Sequence, residues 1–548
     1  MNSFLKAAQT SEGSAYTENG AISYASTGSE LVDQFGKAGA YRGRDISVVF
    51  DEQARLYNEN PEAAIKFPFY LRLITRQVKL ENGEKTEKVQ RGAGSRDEAY
   101  KRLLWFAEYQ PDVFYRNLPL LPLIGSWKDI WQILSLDMDN HNVINHSKVY
   151  GVIADGIVNE HTTDLARKYL PRIRSEKKCT TPWAKNTNRL AKEFVNFLNR
   201  VLPDGYTYSD YRELKSEGKA HKFQQYITKG LYDSIDFKTI PGKALLNLVS
   251  GAFLTKHGLL DKYTEWLKSQ PTVKFNGYPY ELGVKLYNGG KSLAVRITVD
   301  KQFETLIETG KKDGGAIKGN VWCALDTSGS MMARINGNTL SPYIVCKSLG
   351  IYFSTLNEGA FHKNVIMFDN FSRIKQLSGS FSEMWEQIPQ NAMGSTNFQS
   401  VVDEIVRVRK AKPEIPLSDY PSTLLVVSDM QFNPAGSYTW EERTASQSDI
   451  ETNINAAKRK LRQEFPDDWV EGFKFVWWNV AGRPTDDFPA TLDHGGSYFF
   501  SGFDGAVISL LLGSQTEVVD KTTGEKRQPT AEELVDAALN QEILSLVK

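Results

Sequence analysis

Apolar positions in the first half of the chain recur at helical spacing. From about residue 50 to 268, runs such as "RDEAYKRLLWFAEYQPDVFYRNLPLLPLIGSWKDIWQIL" place apolar side chains three and four apart, with breaks at Pro119, Pro122 and Gly125. "NRLAKEFVNFLNRVL" and "PGKALLNLVSGAFLTKHGLLDKYTEWLKS" have the same texture. The pattern predicts a series of helical hairpins, as in a HEAT-like α-solenoid, with no strict sequence period.

The texture changes at 271. "TVKFNGYPYELGVKLYNGGKSLAVRITVD" carries two Asn-Gly pairs, which predict a small hairpin-rich insert near 271–300. "KKDGGAIKGN" (311–320) reads as a linker. From 320 to about 513, short apolar runs alternate with helical ones. Strands are predicted at 320–325, 364–368, 423–428, 472–479 and 497–500, and helices at 340–357, 397–410, 447–464 and 503–512. Runs of four to eight apolar residues between turns fit buried parallel strands, so this half predicts an open, mostly parallel sheet covered by helices. In the tail, Thr530 and Glu533 form a capping box for a final helix. The expected fold class is α plus α/β: a helical-repeat domain over 1–318, then a doubly wound α/β domain over 319–548.

Composition narrows the function classes. A chain of 548 residues exceeds one core. Lys+Arg and Asp+Glu both number 66, so nucleic acid could be held only through a local patch. No run of 18 uncharged apolar residues is present, and the N-terminus lacks the apolar core of a signal peptide, so no membrane partner is expected. Cys179, Cys323 and Cys346 show no C-x-x-C spacing and read as reduced thiols, which sets the expected location in the cytoplasm.

Ligands of open parallel sheets sit beyond the C-terminal strand ends. Here those ends carry oxygen donors. The first strand runs into Asp326-Thr-Ser328-Gly-Ser330, the loop "NAMGSTNF" carries Thr396 before a helix, and "LLVVSDMQF" places Asp429 at a strand end. Two carboxylates and three hydroxyls suit a hard cation such as Mg²⁺ (or Mn²⁺) and offer nothing to a soft one. The alternative is a strand-to-helix turn in which Asp and Ser serve only as caps.

DTSGSM, GSTN and SDMQ together resemble the von Willebrand factor A domain and its metal-ion-dependent adhesion site. The resemblance implies that Ser328, Ser330 and Thr396 ligate the metal through hydroxyls. It implies that Asp326 and Asp429 bind directly or through water, and that a partner's carboxylate fills an open position. The helical half, with "TENGAISYASTG" and the segment 92–134, resembles the TROVE/Ro proteins, which bind small non-coding RNAs. It is most similar to a TROVE-like group of plants, large DNA viruses and phages. The markers are Arg96, Asp97, Tyr100, Leu118, Pro119, Gly125, Trp127, Lys128, Asp129 and "WWNVAG…GGSYFFSGFDG".

The stretch 161–230 is the local basic patch, with 15 Lys+Arg against 7 Asp+Glu. Its candidate nucleic-acid contacts are Arg167, Lys168, Arg172, Arg174, Lys177, Lys178, Lys185 and Arg189, interleaved with Tyr169 and Trp183. Phosphate-binding cations beside aromatic faces are what single-stranded RNA sites use. "YNGGKSLAV" is no phosphate loop, because Lys285 stands where a Walker loop needs glycine. No H-x-x-x-H pair is present, and Ser328 and Ser330 have no base nearby in sequence, so no enzyme is expected. The leading expectation is a non-enzymatic ribonucleoprotein scaffold. Its helical domain would hold small structured or single-stranded RNA, and its A domain would dock a protein partner's carboxylate through the metal. The alternative is a metal-dependent protein–protein adaptor or assembly component, possibly viral, with no RNA.

Overall fold

A computed structural model describes all residues except 1–13, 74–78, 81–82, 87–89, 159–162, 219–220, 290–291, 315, 336–339, 390–393, 436–450, 483–486, 506–517, 520–525 and 528. Part of the predicted helices 447–464 and 503–512, and part of the 311–320 linker, lie outside the described residues. The chain divides into two compact units, Met1–Arg42 with Phe237–Ala537, and Gly43–Asp236 with Ala538–Lys548.

The first unit is built on a six-stranded sheet. A short N-terminal hairpin, β1 (Ser14–Tyr16) and β2 (Ile22–Tyr24), stands apart from it. The sheet comprises β3 (Val321–Asp326), β4 (Asn364–Phe368), β5 (Ser372–Gln376), β6 (Thr423–Ser428), β7 (Lys474–Asn479) and β8 (Ser497–Ser501). Their order is β5-β4-β3-β6-β7-β8, with β5 antiparallel and every other pairing parallel. The five predicted strands are present. β3 and β6 are buried throughout, the pattern that covering helices on both faces require. The helix Pro342–Leu356 is buried along its whole length and returns the chain from β3 to β4. The helices Gln399–Ala411 and Asn453–Arg462 fall on the predictions at 397–410 and 447–464.

Residues 271–300 differ from expectation. Pro279–Gly289 and Leu293–Gly314 are helices, not hairpin strands. The Asn-Gly pairs mark where a helix starts and stops: Asn276-Gly277 precedes the first helix and Asn288-Gly289 closes it. Gly283 within that helix serves close packing, since a Cβ there would lie 2.3 Å from the Ser348 hydroxyl and 2.7 Å from the Trp385 ring. Asp300 also accepts from the Ser382 amide at 2.7 Å and its hydroxyl at 2.9 Å. These contacts draw 237–318 into the sheet's unit, where the sequence texture places them with the helical half.

The second unit is helical in its main described elements, among them Ile46–Glu59, Pro61–Arg72, Arg96–Tyr109, Trp127–Asn140, His146–Val158 and Pro182–Val201. Four of its sequence markers, Tyr100, Gly125, Trp127 and Asp129, pack in the core. Asp129 accepts from Tyr100 Oη at 2.6 Å and from Arg72 Nε at 2.7 Å, all three side chains being buried. Gly125 leaves room for that carboxylate, because a Cβ would sit 2.2 Å from Asp129 Oδ2. Trp127 packs over Gly156. These contacts hold the helices together. Among the described residues no helix is long and apolar enough to cross a membrane.

Candidate metal centre and candidate nucleic-acid interface

β3 leads through its helix to β4 on one side, whereas β6, β7 and β8 extend the sheet on the other. The topological switch point therefore lies between β3 and β6, where a parallel sheet opens a crevice at its C-terminal edge. Asp326 ends β3 and Asp429 follows the last residue of β6, so both carboxylates stand at that crevice. Both are fully buried, and Ser328 and Thr396 nearly so. Asp326 accepts from the Ser328 amide at 2.9 Å and from the Ser428 hydroxyl of the neighbouring strand at 2.5 Å. Ser328 and Ser330 hydroxyls lie 3.2 Å apart. Burial first, and the Asp429 carboxylate second, push the Asp326 pKa up.

The backbone after β6 is strained at this point. Met430 has φ 62°, rare for a side chain of its size. Its amide donates to the Ser428 hydroxyl at 3.0 Å, and the Gln431 amide donates to Asp429 at 3.2 Å. Thr396 is tied to the same loop, its amide donating to Asn433 Oδ1 at 3.2 Å and its carbonyl accepting from the Asn433 amide at 2.9 Å. The five predicted donors are thus gathered around the ends of β3 and β6. They form an all-oxygen set with two carboxylates, whose chemistry fits Mg²⁺ or Mn²⁺. Among the described residues no group of three or more His, Cys, Asp or Glu is assembled, so hydroxyls would complete any coordination.

Two contributors escape sequence reasoning. Asn433 braces the Thr396 loop through contacts 37 residues apart. Asn19, at the tip of the β1–β2 hairpin, donates to Thr396 Oγ1 at 3.4 Å and to the Gln431 carbonyl at 2.5 Å. Thr17 adds a bond to the Phe432 carbonyl at 2.7 Å and the Glu18 amide one to Gln431 Oε1 at 2.6 Å. The hairpin tip therefore rests on the loops that carry Thr396 and Asp429. No local signal in the sequence marks Asn19 for this role.

The second unit carries the basic site. Lys168 lies near the end of the helix Thr163–Tyr169, and Arg212 and Lys215 lie three apart on the helix Tyr208–Glu217. That helix starts at a capping box between Thr207 and Asp210. The intervening chain is pinned by the Tyr211 hydroxyl on the Pro171 carbonyl at 2.7 Å and by the Arg174 amide on Asn188 at 2.7 Å. The result is a cavity of about 740 Å³ lined by Lys168, Arg172, Arg174, Lys178, Arg212 and Lys215, with no carboxylate among its described lining residues. Gly218 lets the helix end approach closely, since a Cβ would stand 2.5 Å from the Lys168 amide nitrogen. Burial, reinforced by Arg172, lowers the Lys215 pKa to about 8.

Pairing separates the eight sequence candidates. Lys168, Arg172, Arg174 and Lys178 line the cavity. Arg167 is bound to Glu217, and Arg189 pairs with Glu193 at 2.8 Å. Lys177 and Lys185 are exposed outside the lining. Arg212 and Lys215 belong to the site although the pattern did not single them out. Among the described residues, none of the six lining cations pairs with a carboxylate. The expected aromatic residues are not among the described lining residues: Tyr169 is covered by the lining Lys168 at 5.8 Å, and Trp183 by Lys128 at 5.7 Å.

Residues 321–544 match the model of a domain of unknown function, DUF7788. No curated protein matches the chain. Among solved structures, the crystal structure of the Deinococcus radiodurans RO (RSR) protein is similar at 13% identity, covering 88% of this chain and 98% of that chain, with a TM-score of 0.40. A likeness at that TM-score transfers neither fold nor function.

Proposed function

We propose that this protein is a non-enzymatic RNA-binding scaffold whose helical unit holds RNA phosphate in the six-cation cavity. The observation that carries the reading is the lack of carboxylate partners for those cations among the described residues, beside neighbours that have them. Six like charges turned into one concavity repel one another, and an anionic ligand relieves that repulsion. The sequence resemblance to RNA-binding TROVE/Ro proteins favours RNA as the polyanion.

The sheet domain adds a second element to the proposal. Asp326, Ser328, Ser330, Thr396 and Asp429 would hold Mg²⁺ or Mn²⁺ at the switch point. A cation held there would offer positive charge and an open coordination position to a protein partner's carboxylate. What supports this is the all-oxygen donor set and the buried pair of carboxylates.

The test is purification from native cells, with the 260/280 nm absorbance ratio read before and after ribonuclease and the crosslinked nucleic acid sequenced. The proposal expects a raised ratio that ribonuclease lowers, and recurrent RNA species. A protein that carries no nucleic acid and captures none when offered RNA would leave only the adaptor role.

A further inference from the structure

We infer that the basic cavity is a receptor for the terminal phosphate of an RNA strand, a phosphomonoester, rather than for the strand's interior. The inference deepens the RNA reading and rests on it.

The shape of the charge points this way. A site that tracks a single strand spreads its cations along a groove and stacks bases on aromatic faces. Here the cations converge on one cavity of about 740 Å³, a volume in the range of small-ligand sites. The one aromatic residue among its described lining residues is Tyr211, whose side chain is buried and whose hydroxyl is spent on the Pro171 carbonyl. The cavity offers charge without a platform for bases.

The chemistry of the two phosphate types then decides between end and interior. An internal phosphodiester carries one negative charge on two free oxygens. A terminal monoester carries about 1.5 to 2 charges at neutral pH and three strong acceptor oxygens. Arg172, Arg174 and Arg212 bring planar forks that match such oxygens in pairs. The Lys215 ammonium is already oriented by the Lys168 carbonyl, at 3.2 Å, and the Leu170 carbonyl. Six cations with no carboxylate partner among the described residues are matched better by a dianion than by a diester whose neighbouring charges lie outside.

The experiment compares labelled decaadenylate RNAs of one sequence that differ only at their ends: 5′-monophosphate, 3′-monophosphate, or hydroxyl at both. Binding to the full chain is read by fluorescence anisotropy at near-physiological salt. The inference expects one monophosphate form to bind at least about tenfold more tightly than the hydroxyl form. That advantage should vanish in Arg172→Gln/Arg174→Gln, both exposed positions, and in Arg212→Gln, with unchanged circular dichroism and melting. Equal affinity for all three RNAs would overturn the inference and leave RNA binding standing. Absence of binding to any of them would remove both. Free adenosine monophosphate competing as effectively as the phosphorylated RNA would also overturn it, because the cavity would then be a small-phosphate site.

Discussion

Lys215 offers a perturbation whose effects on stability and on binding have separate signatures. Its ammonium is partly buried beside Arg172, and its folded pKa is about 8 against an ordinary 10.5. Between those values the unfolded chain binds more protons than the folded one, so stability rises with pH across this window. Below about pH 8 the full cost of the buried charge is present. A shift of this size corresponds to roughly 3 kcal/mol when fully desolvated, and solvent screening of a partly exposed ammonium reduces it to about 1–2 kcal/mol. Lys215→Met also removes two hydrogen bonds to backbone carbonyls, a loss that does not depend on pH. The stability difference between wild type and variant should therefore drift by about 1–2 kcal/mol in favour of wild type between pH 7.5 and 10. Binding runs the other way. RNA phosphate favours the charged form, so wild-type affinity for oligoadenylate, whose base does not titrate there, should fall roughly tenfold from pH 7 to 9 through this one group. Urea denaturation and fluorescence anisotropy across the pH range measure the two effects. Identical pH dependence of binding in wild type and Lys215→Met would refute the reasoning that places this ammonium on the ligand.

Gly218→Ala would place a Cβ against the Lys168 backbone, forcing a shift that costs about 1–3 kcal/mol by thermal melting and weakens RNA binding together with it. Asp326→Ala should abolish calorimetric Mg²⁺ or Mn²⁺ binding by removing one of two carboxylates, while RNA affinity stays unchanged; equal metal affinity in the two proteins would overturn the metal assignment. Asn19→Ala removes two bonds from the hairpin tip, so hydrogen exchange should quicken at the β1–β2 amides and at residues 431–433, by a factor corresponding to about 1–2 kcal/mol.

The parallel strands were legible because burial on both faces writes an uninterrupted apolar run, as in "TLLVVS" of β6. β5 left no such trace. It is an edge strand with half-buried and exposed side chains, and "SRIKQ" reads as loop. At 271–300 the turn chemistry was real, but it bounded a helix, and Gly283 answered to the packing of Ser348 and Trp385 rather than to a turn. The oxygen-bearing side chains at the switch point could be placed from sequence because they lie at or just beyond strand ends, or shortly before a helix. Asn19 could not, since its contact with Thr396 spans 377 residues. In the basic stretch the number of cations was countable, yet their value for binding depends on which ones lack carboxylate partners. Arg167 and Lys168 are sequence neighbours; one is bound to Glu217 and the other lines the cavity.

The central claim is that the cavity's cations, without carboxylate partners among the described residues, hold RNA phosphate, and the salt dependence of RNA affinity tests it most directly. Wild type and Arg172→Glu/Arg174→Glu/Lys178→Glu would be titrated with labelled RNA over a range of salt concentrations. Loss of three phosphate contacts should lower affinity at least about a hundredfold at low salt and reduce the slope of log affinity against log salt by roughly 2, with melting unchanged within about half a kcal/mol. An unchanged affinity and slope in the triple variant would contradict the claim and leave these cations as ordinary solvated surface.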